Sequence, residues 1–151
     1  MTTRELSITR LIDAPRSSVF RAWTDPGILK TWWAPKPFTT QECSLDVRSG
    51  GTFSSVMVGP DGTKYPGSGV YLEVVPDEKI VFTDAYTSAW VPSDKAFMTV
   101  VITFADEGGK TRYTARVLHW SEADREAHEK MGFEQGWGQC AEQLAEVAAK
   151  I

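Results

Sequence analysis

Between Cys43 and Trp120 the sequence breaks into short runs of alternating apolar and polar residues, each closed by residues that turn cheaply. A period of two puts successive side chains on opposite faces of a sheet. The runs Ser44–Val47, Gly51–Val58, Thr63–Val75, Lys79–Tyr86, Phe97–Phe104 and Thr111–Trp120 therefore predict strands. The turns are Ser49-Gly50, Pro60-Asp61-Gly62, Pro76-Asp77-Glu78 and Glu107-Gly108-Gly109. Connections this short join antiparallel neighbours, so the expected sheet is an antiparallel meander. Thr87–Lys95, with Trp90 and Pro92, is a longer interruption and reads as the rim of an opening.

A sheet with one apolar face needs a cover. Glu5–Ile12, carrying Leu6, Ile8, Leu11 and Ile12, predicts a first strand. Asp13-Ala14-Pro15 then opens a short helix with Val19, Phe20, Ala22 and Trp23 on one face, and Asp25-Pro26 opens a second that runs to Trp32 and Trp33. Ser121-Glu122-Ala123-Asp124 matches a capping box and announces a last, long helix. Trp137, Cys140, Ala141, Leu144, Val147, Ala148 and Ile151 recur there at helical spacing. Gly132, Gly136 and Gly138 fall in its first half, each costing about 1 kcal/mol against Ala, which predicts a bend or a close approach. The fold class expected is α+β. A curved antiparallel sheet wraps around the long C-terminal helix, two short helices close the end, and the whole of 1–151 forms one domain.

Composition narrows the function classes. The 151 residues include six Trp, four Tyr and seven Phe, more large rings than a core of this size requires, and such rings often line cavities. The net charge is −4 and no basic run tracks a phosphate backbone, so no nucleic-acid partner is expected. No stretch approaches about 18 consecutive apolar residues, so no membrane span is expected. The N-terminus lacks the apolar core of a signal peptide, and Cys43 and Cys140 lie far apart without CxxC spacing. They read as the reduced thiols of a cytoplasmic protein.

Dedicated chemistry is sparse. His119 and His128 are the two histidines. His128-Glu129 begins like a zincin helix, but the second His would fall at Gly132, and no other metal-ligand cluster occurs, so neither metal nor cofactor is expected. As a general base His119 would need an orienting carboxylate, for which Asp84 and Glu73 are the candidates across the sheet. The plainer expectation is a partly exposed strand-end histidine. No nucleophile elbow or phosphate loop is present; Gly67-Ser68-Gly69 and Gly136-Trp137-Gly138 are too short for the latter. Tyr113 and Arg116 fall on opposite faces of one strand, so only one of them can offer a ligand a polar anchor.

Several segments carry a family resemblance. Ile12-Asp13-Ala14-Pro15, Val19-Phe20-Arg21-Ala22-Trp23-Thr24-Asp25-Pro26, Trp32-Trp33-Ala34-Pro35, Gly50-Gly51, Gly59-Pro60-Asp61-Gly62 and Gly69-Val70-Tyr71 occur in order. They are followed by Phe82-Thr83 and Met131-Gly132-Phe133-Glu134-Gln135-Gly136-Trp137. From about Arg4 to the C-terminus the chain resembles the activator of heat-shock-protein-ninety ATPase homologue-like family. The resemblance implies the helix-grip fold of the START-like (SRPBCC, birch-pollen-allergen-like) superfamily. Members of that superfamily commonly hold lipids, polyketides or other hydrophobic molecules under the long helix.

The function expected is binding of a small hydrophobic or aromatic molecule between sheet and helix. The alternatives are a cyclase or hydrolase acting on such a molecule, or a chaperone-associated interaction module. No catalytic residue is assigned. Trp32 and Trp33 are expected at the cavity, one as wall and one as plug. The strands offer Phe53, Met57, Tyr71, Phe82, Tyr86 and Met98, the rim Trp90, the last strand His119, and the helix Met131 and Trp137. A homodimer is a possible assembly; a chaperone partner is motivated by the family name alone.

Overall fold

The alternation that predicts strands is realised with few exceptions. The computed structural model describes residues 4–94 and 96–151; Met1–Thr3 and Lys95, the last residue of the expected rim, lie outside the described residues. The chain runs β1 (Glu5–Ile12), α1 (Arg16–Thr24), α2 (Pro26–Leu29), β2 (Thr39–Leu45), β3 (Thr52–Val58), β4 (Lys64–Val75) and β5 (Lys79–Thr83). It continues through β6 (Tyr86–Ser88), β7 (Val91–Pro92), β8 (Met98–Glu107), β9 (Lys110–His119), α3 (Glu122–Lys130) and α4 (Phe133–Ala148). Seven strands form one sheet in the order β1-β9-β8-β5-β4-β3-β2, and β6 and β7 pair separately. Every pairing is antiparallel, the fold class being the α+β helix-grip arrangement.

One face of the sheet is apolar. Phe53, Phe82, Val100, Ile102, Phe104, Tyr113, Ala115 and Val117 are buried on it, and α4 covers them with Phe133, Cys140, Ala141, Leu144 and Ala148. The two short helices fill the end. Trp23 packs edge-on against Trp32 and Trp33, with ring centroids 5.0 and 5.1 Å apart. Much of the aromatic surplus is therefore ring-on-ring core packing, each such pair adding about 0.5–1.5 kcal/mol beyond its buried area.

The helix ends follow local chemistry. The Asp25 carboxylate accepts the Gly27 and Ile28 N–H groups at 2.9 and 3.3 Å, and Pro26 opens α2. Ser121 Oγ accepts the Asp124 N–H at 3.1 Å. Asp13 caps nothing: Pro15 stands at the N-cap of α1, which has no side-chain cap.

Three expectations are corrected. β2 begins at Thr39 rather than Ser44 and carries a bulge between Thr40 and Glu42, which hides its alternation. β5 ends at Thr83, short of Tyr86, because the chain peels away there. The Thr83 hydroxyl takes the Ala85 N–H, while Asp84 Oδ1 accepts the Phe97 and Met98 N–H groups across the gap. The last helix is two helices. Gly132 has φ +96°, a left-handed conformation that glycine adopts freely, and it ends α3 and starts α4. α3 buries no residue, so of these two helices it is α4 that covers the sheet.

Candidate functional site

The segment from Trp32 to Lys36 is held against α4 by backbone bonds. Gln143 Nε2 donates to the Trp32 and Ala34 carbonyls at 2.9 and 2.8 Å, and its Oε1 accepts the Lys36 N–H at 3.4 Å. The Thr40 hydroxyl donates to the Trp33 carbonyl, and Trp32 Nε1 donates to the Ala22 carbonyl at 3.0 Å. These bonds fix the Trp33 ring under α4, where it meets Trp137 and Phe53 edge-on at 5.8 and 6.0 Å.

Around Trp33 the packing leaves two adjoining hollows. The outer one, about 310 Å³, lies at the α3–α4 break, between Trp33, Met57 and Met98 on one side and Met131, Phe133 and Trp137 on the other. Pro35, Cys140, Gly132, Gly136 and His128 complete it. The inner one, about 200 Å³, lies against the sheet and shares Trp33, Met57 and Met98 with the outer. Its other walls include Phe53, Ser55, Phe82 and Val100, with Gly67 and Gly69 of β4 at its edge and only Gly67 leaving its place open.

The glycines make this space for different reasons. A Cβ on Gly136 or Gly67 would meet nothing within 4 Å, whereas one on Gly69 would lie 2.3 Å from the Thr83 carbonyl oxygen. Gly138, by contrast, lies under a cation: a Cβ there would come within 2.9 Å of Arg10 Nη2.

Other hollows lie outside the cleft. One of about 640 Å³ lies open over β2, β3 and β4 beside Glu42, Ser44, Ser54 and Ser68. It is larger, but it is open and serine-lined, and ligand sites bury most of the ligand's surface between apolar walls. One of about 220 Å³ lies under the β6–β7 hairpin.

The expected residues divide accordingly. Trp33, Phe53, Met57, Phe82, Met98, Met131 and Trp137 border one or both hollows of the cleft. Trp32 does not; it is buried behind Trp33. Tyr71 is buried in the core, its hydroxyl without a partner among the described residues and its ionisation pushed up by burial. Tyr71, Tyr86 and Trp90 border the separate hollow under the hairpin, so the expected rim belongs to that space. Of the pair on β9, Tyr113 is buried and Arg116 pairs with Glu5 at 3.0 Å, so neither anchors a ligand in the cleft.

His119 also differs from its expectation. It is buried at 3% exposure and does not border the cleft. Neither candidate carboxylate orients it: Asp84 bonds to backbone N–H groups and Glu73 pairs with Lys79 at 3.0 Å. Its Nδ1 lies 2.8 Å from the Arg4 carbonyl and its Nε2 lies 2.9 Å from His128 Nδ1. His128, which sequence spacing discards, borders the cleft. Burial, with the neighbouring His119 second, pushes its pKa down to about 4.

The two thiols are kept protonated. Burial pushes Cys140, in the cleft, up to about 12 and Cys43 up to about 11. Among the described residues no three His, Cys, Asp or Glu side chains gather as a metal site. No described helix is long and apolar enough to cross a membrane.

The family profile described as activator of Hsp90 ATPase homolog 1-like protein matches residues 13–149. The chain belongs to that family. Among solved structures it is similar to a Nitrosomonas europaea protein at 37% identity and TM-score 0.96, covering 99% of this chain and 97% of that one. It is also similar to a Mycobacterium smegmatis protein at 28% identity and TM-score 0.81, covering 96% and 90%. An Aeromonas hydrophila protein described as AHSA1-like, 21% identical with TM-score 0.72 and covering 97% and 92%, shares the fold. No curated protein matches the chain.

Proposed function

We propose that this family member binds a small hydrophobic or aromatic molecule in the cleft between α4 and the sheet, the whole of 1–151 acting as one such domain. The observation that carries the reading is the outer hollow of about 310 Å³, walled by Trp33, Met57, Met98, Phe133 and Trp137 and opened by the break at Gly132. Its volume falls at the small end of known ligand sites. The fold is consistent with ligand binding in general, and the free thiols fit a reducing, cytoplasmic setting. Burial holds the one thiol in the cleft protonated, so a thiol nucleophile does not support the turnover alternative. The family name carries a chaperone partner; the ligand reading is preferred because it rests on a space in this chain.

Trp33 and Trp137 border the cleft, so their fluorescence reports on its occupancy. A panel of naphthalenes, flavonoids and medium-chain fatty acids should quench that emission and raise the melting temperature for at least one class. Gly136→Leu would place a side chain in the open space and should abolish both effects while the protein stays folded. A panel without quenching or thermal shift would overturn the reading.

A further inference from the structure

A hydrogen-bond chain of two histidines ends at His128, which borders the otherwise apolar outer hollow. A carbonyl oxygen only accepts, so the ring nitrogen 2.8 Å from the Arg4 carbonyl carries a proton: His119 is the Nδ1–H tautomer. With the pair uncharged, His119 Nε2 is then an acceptor, and the atom 2.9 Å away, His128 Nδ1, must be the donor. That consumes the proton of His128 and leaves its Nε2 as a bare acceptor. Among the described residues no donor reaches that atom. The Arg4 backbone thus sets the tautomer of His128 from two rings away.

The surroundings hold the pair in place. Phe97 packs edge-on or tilted against His119 and His128 at 5.4 and 5.2 Å, and Phe133 packs edge-on against His128 at 5.1 Å. His119 sits on β9 opposite Met98, which borders both hollows, and His128 sits on the last turn of α3 beside the Gly132 break. Two ordered rings and a backbone carbonyl thus lead to one acceptor on a half-buried residue that borders an apolar space. A donor on a molecule entering that space can replace water at this acceptor.

We propose that His128 Nε2 is the polar anchor of the cleft, accepting a hydrogen bond from an apolar ligand that carries a hydroxyl or N–H group, with His119 as the positioning residue that fixes its tautomer. The inference rests on the ligand reading above and narrows it: phenols, enols and other hydroxylated ring compounds are favoured over their ethers and over plain hydrocarbons.

Two measurements decide it. Long-range proton–nitrogen spectra of ¹⁵N-labelled protein at pH 7 should show both histidines as Nδ1–H tautomers. His128 observed as the Nε2–H tautomer overturns the proposal without any ligand. Second, 2-naphthol and 2-methoxynaphthalene are titrated into the wild-type protein and into His128→Phe and His119→Phe. The aromatic replacements keep ring volume, and the Arg4 carbonyl keeps the His119 backbone N–H at 2.8 Å. The naphthol should bind about tenfold tighter than the ether, the effect of one well-placed hydrogen bond. That preference should vanish in His128→Phe and shrink in His119→Phe, while affinity for the ether changes little. Equal binding of both probes to wild type, or a preference that survives in both variants, overturns the anchor and leaves the ligand reading standing. Binding of neither probe removes the ligand reading and the anchor together.

Discussion

Gln143, in the middle of α4, donates through Nε2 to the carbonyl of Trp32, 111 positions earlier in the chain, at 2.9 Å. The same nitrogen reaches Ala34 and the same amide's oxygen accepts from Lys36, so one side chain satisfies three backbone groups of an irregular segment. Trp33 lies inside that clamp. The cleft wall is therefore set by a polar side chain on the covering helix as much as by apolar packing.

Gln143→Leu keeps the volume and removes all three bonds. Buried backbone groups left without partners cost about 1–3 kcal/mol each when no water replaces the bond, so a loss of about 2–4 kcal/mol is expected in urea unfolding. The Trp33 emission should also broaden or shift as its segment loosens. A loss below about 0.5 kcal/mol would show that the clamp is not what holds the wall.

The glycines of β4 separate a space-making role from a clash-avoiding one. Gly67→Ala should be nearly neutral, because its Cβ would enter open space. Gly69→Ala drives a Cβ to 2.3 Å from the Thr83 carbonyl and must spread β4 from the start of the β5 exit. A loss of about 2 kcal/mol or more is expected there, as for an overpacked core. Thermal unfolding of the two variants side by side tests the contrast; similar melting temperatures would contradict it.

Much of this was legible in the residues. Turn chemistry located the β3–β4, β4–β5 and β8–β9 turns, the Ser121 cap located the start of α3, and Gly132, Gly136 and Gly138 together signalled an interruption where the cleft opens. What stayed hidden has physical causes. A bulge lets Leu72 stand unpaired in β4, so the inward positions change from Gly67, Gly69 and Tyr71 to Val74, and no simple alternation assigns the face. Thr40-Gln41-Glu42 gives no apolar signal because its bulged edge strand is mostly exposed, Thr40 excepted. The His119–His128 pair joins a strand to a helix and takes its tautomer from Arg4, so spacing along the chain carries no trace of it.

His128 makes stability depend on pH with a definite sign. Its pKa falls from 6.5 to about 4 on folding, through burial first and His119 second. Between those values the unfolded chain binds more protons, so stability rises with pH through that window and is lost as pH drops from 6.5 towards 4. His119 is the titratable side chain facing it; its other ring neighbours, Phe97 and Phe133, are uncharged. Discounting for partial exposure, the loss attributable to this ring is about 1–2 kcal/mol. Urea unfolding at pH 7 and pH 4.5 should show that His128→Gln loses less on acidification than wild type. An identical acid loss in the two proteins would count against the shift.

Cys140 offers a direct report on the cleft. Cys140 borders the outer hollow and its thiol is pushed up to about 12 by burial, while Cys43, in β2 beside the open serine-lined hollow, is pushed up to about 11. The thiolate is the reacting form, so at pH 8 no more than roughly one thiol in a thousand is reactive at either position. Ellman's reagent should therefore modify the folded protein at least a hundredfold more slowly than the guanidinium-unfolded chain, in which both thiols react at once. Rapid modification of one thiol in the folded state would contradict the burial seen here. A bound aromatic molecule should slow Cys140 further by covering it and leave Cys43 unchanged, since Cys43 does not border that hollow. Equal slowing of both thiols would mean that the ligand tightens the whole fold rather than filling the space beside Trp33 and Trp137.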